Sequence, residues 1–321
     1  MNIIRLLVAR AFQSFLLLFL VSIITFVLIR KAPGLPEILS HPELSEEDSA
    51  RLITQMGLDR PLHIQYIDWA STTVRGDLGD SILTKLRVWD LIKAALPGSF
   101  YLAVTALSIA VIVSIPLGII SAVKQYSMVD YVVTGLSFFG ASIPGFWYAI
   151  LLILLFGVTL GWLPTSGIRP LTRDATWVDT LRHLAMPAIV LSTNAMAQLT
   201  RYTRSSMLEV LQKHYIRTAH AKGLKEVLVI ARHALLNSLF PVITVIGLLI
   251  PIMVGGAAVV ETVFAWPGVG RLAIDSAIRR DYPVVMGVTL LISIVTIVSN
   301  QAIDILYNFL DPRLRDNEAG M

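Results

Sequence analysis

The chain has 321 residues, of which 55% are hydrophobic and 15% charged, against about 25% charged in an ordinary soluble domain. Mean hydropathy is +0.71 and formal net charge is +4; with several long apolar runs, this argues against nucleic-acid binding and for a polytopic membrane protein with basic residues flanking its spans. Cysteine is absent, which excludes disulfides, zinc–thiolate sites and cysteine nucleophiles.

Apolar runs of about 17 to 25 residues predict six spans. The first, Ala11–Ile29, follows a basic start and is not followed by a small-residue cleavage motif, so it reads as an uncleaved helix. Segment 30–100 is the candidate extracytoplasmic segment. In it, "ELSEEDSARLITQMGLD" reads as a helix with Ser45 as N-cap and acids in the first turn, while Pro61 and "RGDLGDS" mark turns. It holds too little apolar surface for a large core of its own and is expected to pack on the outer membrane face.

The second span is Tyr101–Val123. The third, Tyr131–Leu160, contains Pro144-Gly145, which predicts a kink or tilt. The fourth, Leu184–Leu199, carries Pro187, Asn194 and Gln198, so one face should meet protein or water and not lipid. Phe240–Val260 and Val284–Leu306 complete the set.

With the N-terminus inside, the cytoplasm receives Arg5, Arg10, Lys124, the seven Lys and Arg of residues 200–239, Arg313 and Arg315. Eight of the opposing cations fall in segment 30–100, and long segments cross largely regardless of charge. Six spans then place both termini in the cytoplasm. The domain reading is an N-terminal transmembrane helix (1–29), the extracytoplasmic segment (30–100), a five-helix core (101–310) and a cytoplasmic tail (311–321).

No nucleotide-cradling GxxxxGK[ST], HExxH or GxSxG pattern occurs, so no catalytic centre is expected on this chain. His214, His220 and His233 are spaced by six and thirteen residues, which puts no two on one helical face within a turn; they read as interfacial polar groups and not metal ligands. Asp304 is an acid inside a span and shares a helix face with Asn300. It is either the relay of a proton-coupled secondary carrier or a structural carboxylate reaching water at the cytoplasmic end. The fifth span holds Pro241, Pro251 and Gly255-Gly256. Such punctuation serves either a gate or close packing.

The most informative stretch is the inner loop 208–235, with "IRTAHAKGLKEVLVIARHAL" at 216–235. A helical extension to Leu211 should be followed by a short helix, a stop at Gly223 and a second helix leading into the fifth span. Arg217, Lys222, Lys225 and Arg232 suit either anionic lipid or acids on a protein. Ala219, Ala221 and Gly223 favour insertion into a protein groove.

This stretch resembles the cytoplasmic loop of binding-protein-dependent ABC importer permeases, of general form EAA-x3-G-x9-I-x-L-P. Gly223 takes the glycine place, Arg217-Thr218-Ala219 stand at Glu-Ala-Ala, and His233, Leu235 and Leu236 stand at Ile, Leu and Pro. The "RTAxAKGL…HALxN" version is similar to that of the first permease subunit in the dipeptide/oligopeptide/nickel branch. "MGLDRPLHIQYIDW", "GDLGDSI", "SIPGFWYAILLILLFGVTLGWLPTSG", "ETVFAWPGVGRLAIDSAIRRDYPVVMG" and "NQAIDILYNFLDPRLR" resemble the same branch in order along the chain.

The resemblance implies an all-α type I ABC importer permease fold, with an N-terminal helix and a five-helix core. It implies as partners a second homologous permease subunit, two ATPase subunits that carry the ATP and Mg, and an extracytoplasmic substrate-binding protein. No cofactor is implied on this chain, and the setting is the bacterial inner membrane. Cargo would be di- or oligopeptides, with nickel chelates, glutathione or oligosaccharides as alternatives. The implied coupling residues are Arg217, Thr218, Ala219, His220, Ala221, Lys222, Gly223 and Leu224, with Ala219, His220, Ala221 and Gly223 forming the buried contact with the ATPase. Glu261, Trp266, Pro267 and Gly268 would shape an outer gate, a docking surface or a structural turn.

Overall fold

The computed structural model describes residues 3–32, 36, 45–55, 57–169 and 176–310; for 3–9, 46, 254–256 and 304–310 only the backbone is described. The expectations for Arg313, Arg315 and the tail therefore lie outside the described residues, as do those for the side chains of Arg5 and Asp304 and the surroundings of Gly255 and Gly256. Apart from one bridge between Asp80 and Arg87, the regular structure is helical. The chain divides into two compact units, Met1–Ser99 with Pro267–Ile297, and Phe100–Trp266 with Val298–Met321.

The first unit contains α1 (Ile3–Lys31), α2 (Glu46–Gln55), α3 (Leu62–Val74), the start of α4 (Val88–Val123), α11 (Val269–Ile278) and the start of α12 (Tyr282–Leu310). Ser45 caps α2 as expected, accepting from the Asp48 backbone N–H at 3.1 Å. α3 lies on α1 through Phe19, Phe26, Tyr66 and Trp69, and the Tyr66 hydroxyl sits 2.8 Å from Ser22 Oγ. Val88, Ile92 and Ala95 repeat at helical spacing on α4 and bury against Val269, Val284 and Val288. The turn "RGDLGDS" is tied to the α11–α12 corner: Ser81 Oγ and the Ile82 N–H both donate to the buried Asp281 carboxylate.

The second unit contains the rest of α4, α5 (Met128–Ser142), α6 (Gly145–Leu152), α7 (Trp177–Leu211), α8 (His214–Ala221), α9 (Glu226–Leu228), α10 (Leu235–Val263) and the end of α12. α6 continues into a π-helical turn, Ile153–Thr159, and α9 joins α10 through another, Val229–Ala234. α7 opens on a capping box in which Thr176 and Asp179 satisfy each other's backbone. It then packs along α5, α6 and α10. α4 presents Ala106, Ala110, Ser114 and Gly118 at four-residue spacing, and these small residues let another backbone approach closely. A Cβ on Gly118 would stand 2.6 Å from Thr203 Cβ and 2.9 Å from the Thr200 carbonyl on α7.

Among the described residues, α1, α4, the α9–α10 run and α12 are long and apolar enough to cross a membrane. α5 and α6 qualify together but are bent by 103° at the break before Gly145, so four spans become five if the pair is one. The kink expected at Pro144-Gly145 is therefore a break between two helices. The predicted span Leu184–Leu199 lies within the 35-residue helix α7, which does not reach the same apolarity.

Candidate functional site

The predicted helix–glycine–helix loop is present. After the Gln212 cap of α7, α8 runs from His214 to Ala221 and ends on Gly223, whose φ of +75° lies in the left-handed region. The Gly223 N–H donates to the His220 carbonyl at 2.9 Å, and the Leu224 N–H to the Ala219 carbonyl at 3.4 Å. This is a Schellman closure, and Leu224 and Ala219 supply its apolar contact in one cluster. α9 then starts with Glu226 in its first turn, favourable to the helix dipole.

Ile216 and Ala219, three residues apart, point inward and bury among Ala122 of α4, Met207 and Val210 of α7, and Val229 and Ala234 of the π turn. Ala219 is only 6% exposed. It therefore helps to seat α8 on its own chain, whereas His220, Ala221 and Gly223 of the expected set remain exposed. Arg217, Thr218, His220, Ala221, Lys222 and Gly223 are exposed, and Leu224 is half-buried. The outward face thus combines two cations, a hydroxyl, an imidazole and two small residues. Among the described residues, Arg217, Lys222, Lys225 and Arg232 make no ion pair. His214 and His220 are exposed, and among the described residues no group of three or more His, Cys, Asp or Glu side chains gathers as a metal site.

Beside this loop lies a network that sequence reasoning missed. Asp130, 3% exposed at the start of α5, takes both oxygens into a bidentate pair with Arg204 of α7: Nε at 2.7 Å and Nη2 at 2.8 Å. Ser121 Oγ, the Tyr126 N–H and Thr134 Oγ1 also donate to the carboxylate. Burial of a charge is tolerable only with such saturation. The pair spans 74 positions, and only the Ser127 cap followed by an acid hinted at it.

The gate candidates divide. Pro251 is half-buried inside α10, which runs on through Pro241 and Pro251. Glu261 and Trp266 are fully buried, and the Trp266 N–H donates to the Glu261 carbonyl at 2.7 Å across a turn with Ala265 at φ +49°. The Gly167 N–H donates to the Phe264 carbonyl at 2.9 Å, bracing the same turn. Glu261 and Trp266 are thus part of a packed corner. Pro267 is exposed, while the buried Gly268 caps α11, whose Val269 N–H donates to Ser99 Oγ. Asn300 is exposed on α12.

Residues 114–316 match the family described as binding-protein-dependent transport system inner membrane component, and residues 3–103 match its N-terminal companion. The chain belongs to this family. Among curated inner membrane components of this kind, it is 44% identical to the oligopeptide transport system permease protein AppB of Bacillus subtilis (strain 168), over 96% of this chain and 98% of that one. It is 40% identical to the di/tripeptide transport system permease protein DppB of Pseudomonas aeruginosa (strain UCBPP-PA14), over 92% and 94%. It is 39% identical to the dipeptide transport system permease protein DppB of Escherichia coli (strain K12), again over 92% and 94%. The fold is shared with an inward-facing MetNI methionine ABC transporter at TM-score 0.57 and 16% identity, over 69% of this chain and 96% of that one. An amino acid ABC transporter gives TM-score 0.52 at 13% identity, over 68% and 94%.

Proposed function

We propose that this chain is one of two permease subunits in an ATP-driven importer that takes up di- and oligopeptides. Its relatives in Bacillus, Pseudomonas and Escherichia are peptide permeases matched over nearly their whole length. The observation that carries the mechanism is α8 closed on Gly223, with a small, polar face turned outward. The chain has no catalytic role of its own. ATP and Mg belong to two partner ATPases, a second permease completes the path, and an extracytoplasmic binding protein delivers cargo.

In this reading α7 is the sixth membrane-crossing helix, shielded from lipid by α5, α6 and α10. Both termini face the cytoplasm of a bacterial inner membrane, and residues 30–100 stand outside. Each ATPase accepts one α8 in a surface groove. Nucleotide binding brings the ATPases together, α8 follows, and the bundle shifts from an inward- to an outward-open population. The exposed His220, Ala221 and Gly223 enter the groove, while Arg217, Lys222 and Lys225 face acids or lipid phosphate at its rim. Pro251 and Gly255-Gly256 give α10 the freedom to act as gate.

Reconstituted with its partners in liposomes, the permease should import peptide with ATP hydrolysis stimulated by loaded binding protein. Uptake by this chain alone under a pH gradient would instead support a secondary carrier working through Asp304. Gly223→Pro removes an N–H that the loop uses and demands φ near −65° where +75° is needed. That variant, and Ala221→Trp, should insert normally yet fail to copurify with the ATPases; normal copurification and transport would remove the loop from the mechanism.

A further inference from the structure

Asp130 and Arg204 form an ion pair in which the buried carboxylate is saturated with donors and the guanidinium is half-buried. Its placement is informative. Ser121, which donates to Asp130, precedes Ala122; Arg204 lies one turn before Met207. Ala122 and Met207 belong to the cluster on which Ile216 and Ala219 of α8 sit. One turn away, Gly118 of α4 meets Thr203 of α7 so closely that a methyl group would collide. The contact brings the two helices to the separation at which a guanidinium on α7 reaches a carboxylate at the head of α5.

From these observations we infer that the Asp130–Arg204 pair is a positioning clamp that locks the α4–α5 corner to α7, so that displacement of α8 moves these helices as one block. The inference rests on the transport reading above. The hydrophobic part of a contact between helices is non-directional and does not by itself fix their orientation. A bidentate guanidinium–carboxylate pair fixes both distance and orientation. Here the carboxylate also gathers donors from the end of α4, the α4–α5 turn and α5, so three segments are fixed to α7 at one point. Leu224 and Ile230 complete the cluster below, on the far side of the Gly223 turn. Without the clamp, α8 would still be seated, but the helices under it could yield separately.

The test uses the complete transporter, with both permeases, both ATPases and binding protein, in liposomes. Arg204→Lys keeps the charge and loses the fork. It should assemble in normal amounts, hydrolyse ATP with weakened dependence on loaded binding protein, and import at least about fivefold less peptide per ATP, the lower end of ordinary inter-site coupling. An unchanged ratio of peptide to ATP overturns the clamp, even where assembly and uptake fall together. If Arg204→Lys does not assemble, the double variant Asp130→Asn, Arg204→Gln, which substitutes a neutral amide pair, is read by the same ratio. Failure of both to assemble also overturns the inference, since the pair would then be a folding requirement. Absence of ATP-driven uptake in the unmodified complex would count against the importer reading itself and is seen before any variant is made.

Discussion

α1 and α7 are both long helices, and they satisfy opposite conditions. α1 is apolar almost throughout, yet Phe12, Phe15, Leu16, Leu17, Leu20, Ile24 and Leu28 are exposed on this chain. α7 carries Asn194, Gln198, Arg201, Arg204 and Glu209, yet 14 of its 35 residues are buried. Hydropathy therefore reports what a helix surface meets, not how central the helix is. A surface facing lipid must be apolar because hydrocarbon solvates nothing polar. A surface facing other helices need only fit them and satisfy its polar groups. α7 does this with small and medium residues against α5 and α10, and it carries the ion pair at Arg204.

The contrast can be broken by substitutions on the two helices. The largest effect is expected from Leu199→Ala, at a site with no exposure, packed with Ala106, Val242 and Leu249. The cavity should cost about 3 kcal/mol, measured by reversible unfolding in mixed micelles. Gly118→Ala should follow, at about 2 kcal/mol for the collision with Thr203 and the Thr200 carbonyl. The smallest effect belongs to Leu17→Ala on α1, half-exposed, at about 0.5 kcal/mol. Equal losses at Leu17 and Leu199 would show that protein covers α1 as it covers α7. A Leu17 loss seen only in the assembled transporter would place a partner subunit on that face.

Much of the fold was legible because its determinants are local. The Ser45 cap and the stop at Gly223 follow from the conformational limits of single residues and are present, and the kink expected at Pro144-Gly145 is there as a sharper break. The start of the helix that holds 184–199 was the least legible, since it depends on neighbours and not on apolar composition: the helix begins at Trp177, while its end at Leu211 is where the sequence puts it. In the loop, small size suggested a partner contact for both alanines. Helical phase separates them: Ala219 shares a face with Ile216 and turns inward, whereas Ala221 stays exposed. Asp130 and Arg204 were not legible as a pair: the Ser127 cap marks the acid, but nothing in either local stretch specifies a partner 74 residues away. A structural turn at Glu261 and Trp266 was among the readings of the sequence, but its bracing by Gly167 is a long-range contact that no local stretch shows.

The π-helical turn Val229–Ala234 has a consequence for register. Relative to an α-helix, a π turn holds one surplus residue, and each residue of an α-helix advances the phase by about 100°. The angular position of all of α10 is therefore set at its entrance, before any of its own packing residues is reached. Val242, Val245 and Leu249 are buried as one stripe only at that phase. A single-residue deletion between 229 and 234 would turn that stripe away from α7 and swing the prolines of α10 with it. The connection between the α8 loop and the long apolar helix is thus an indexed joint, whose setting is written in chain length and not in side-chain chemistry.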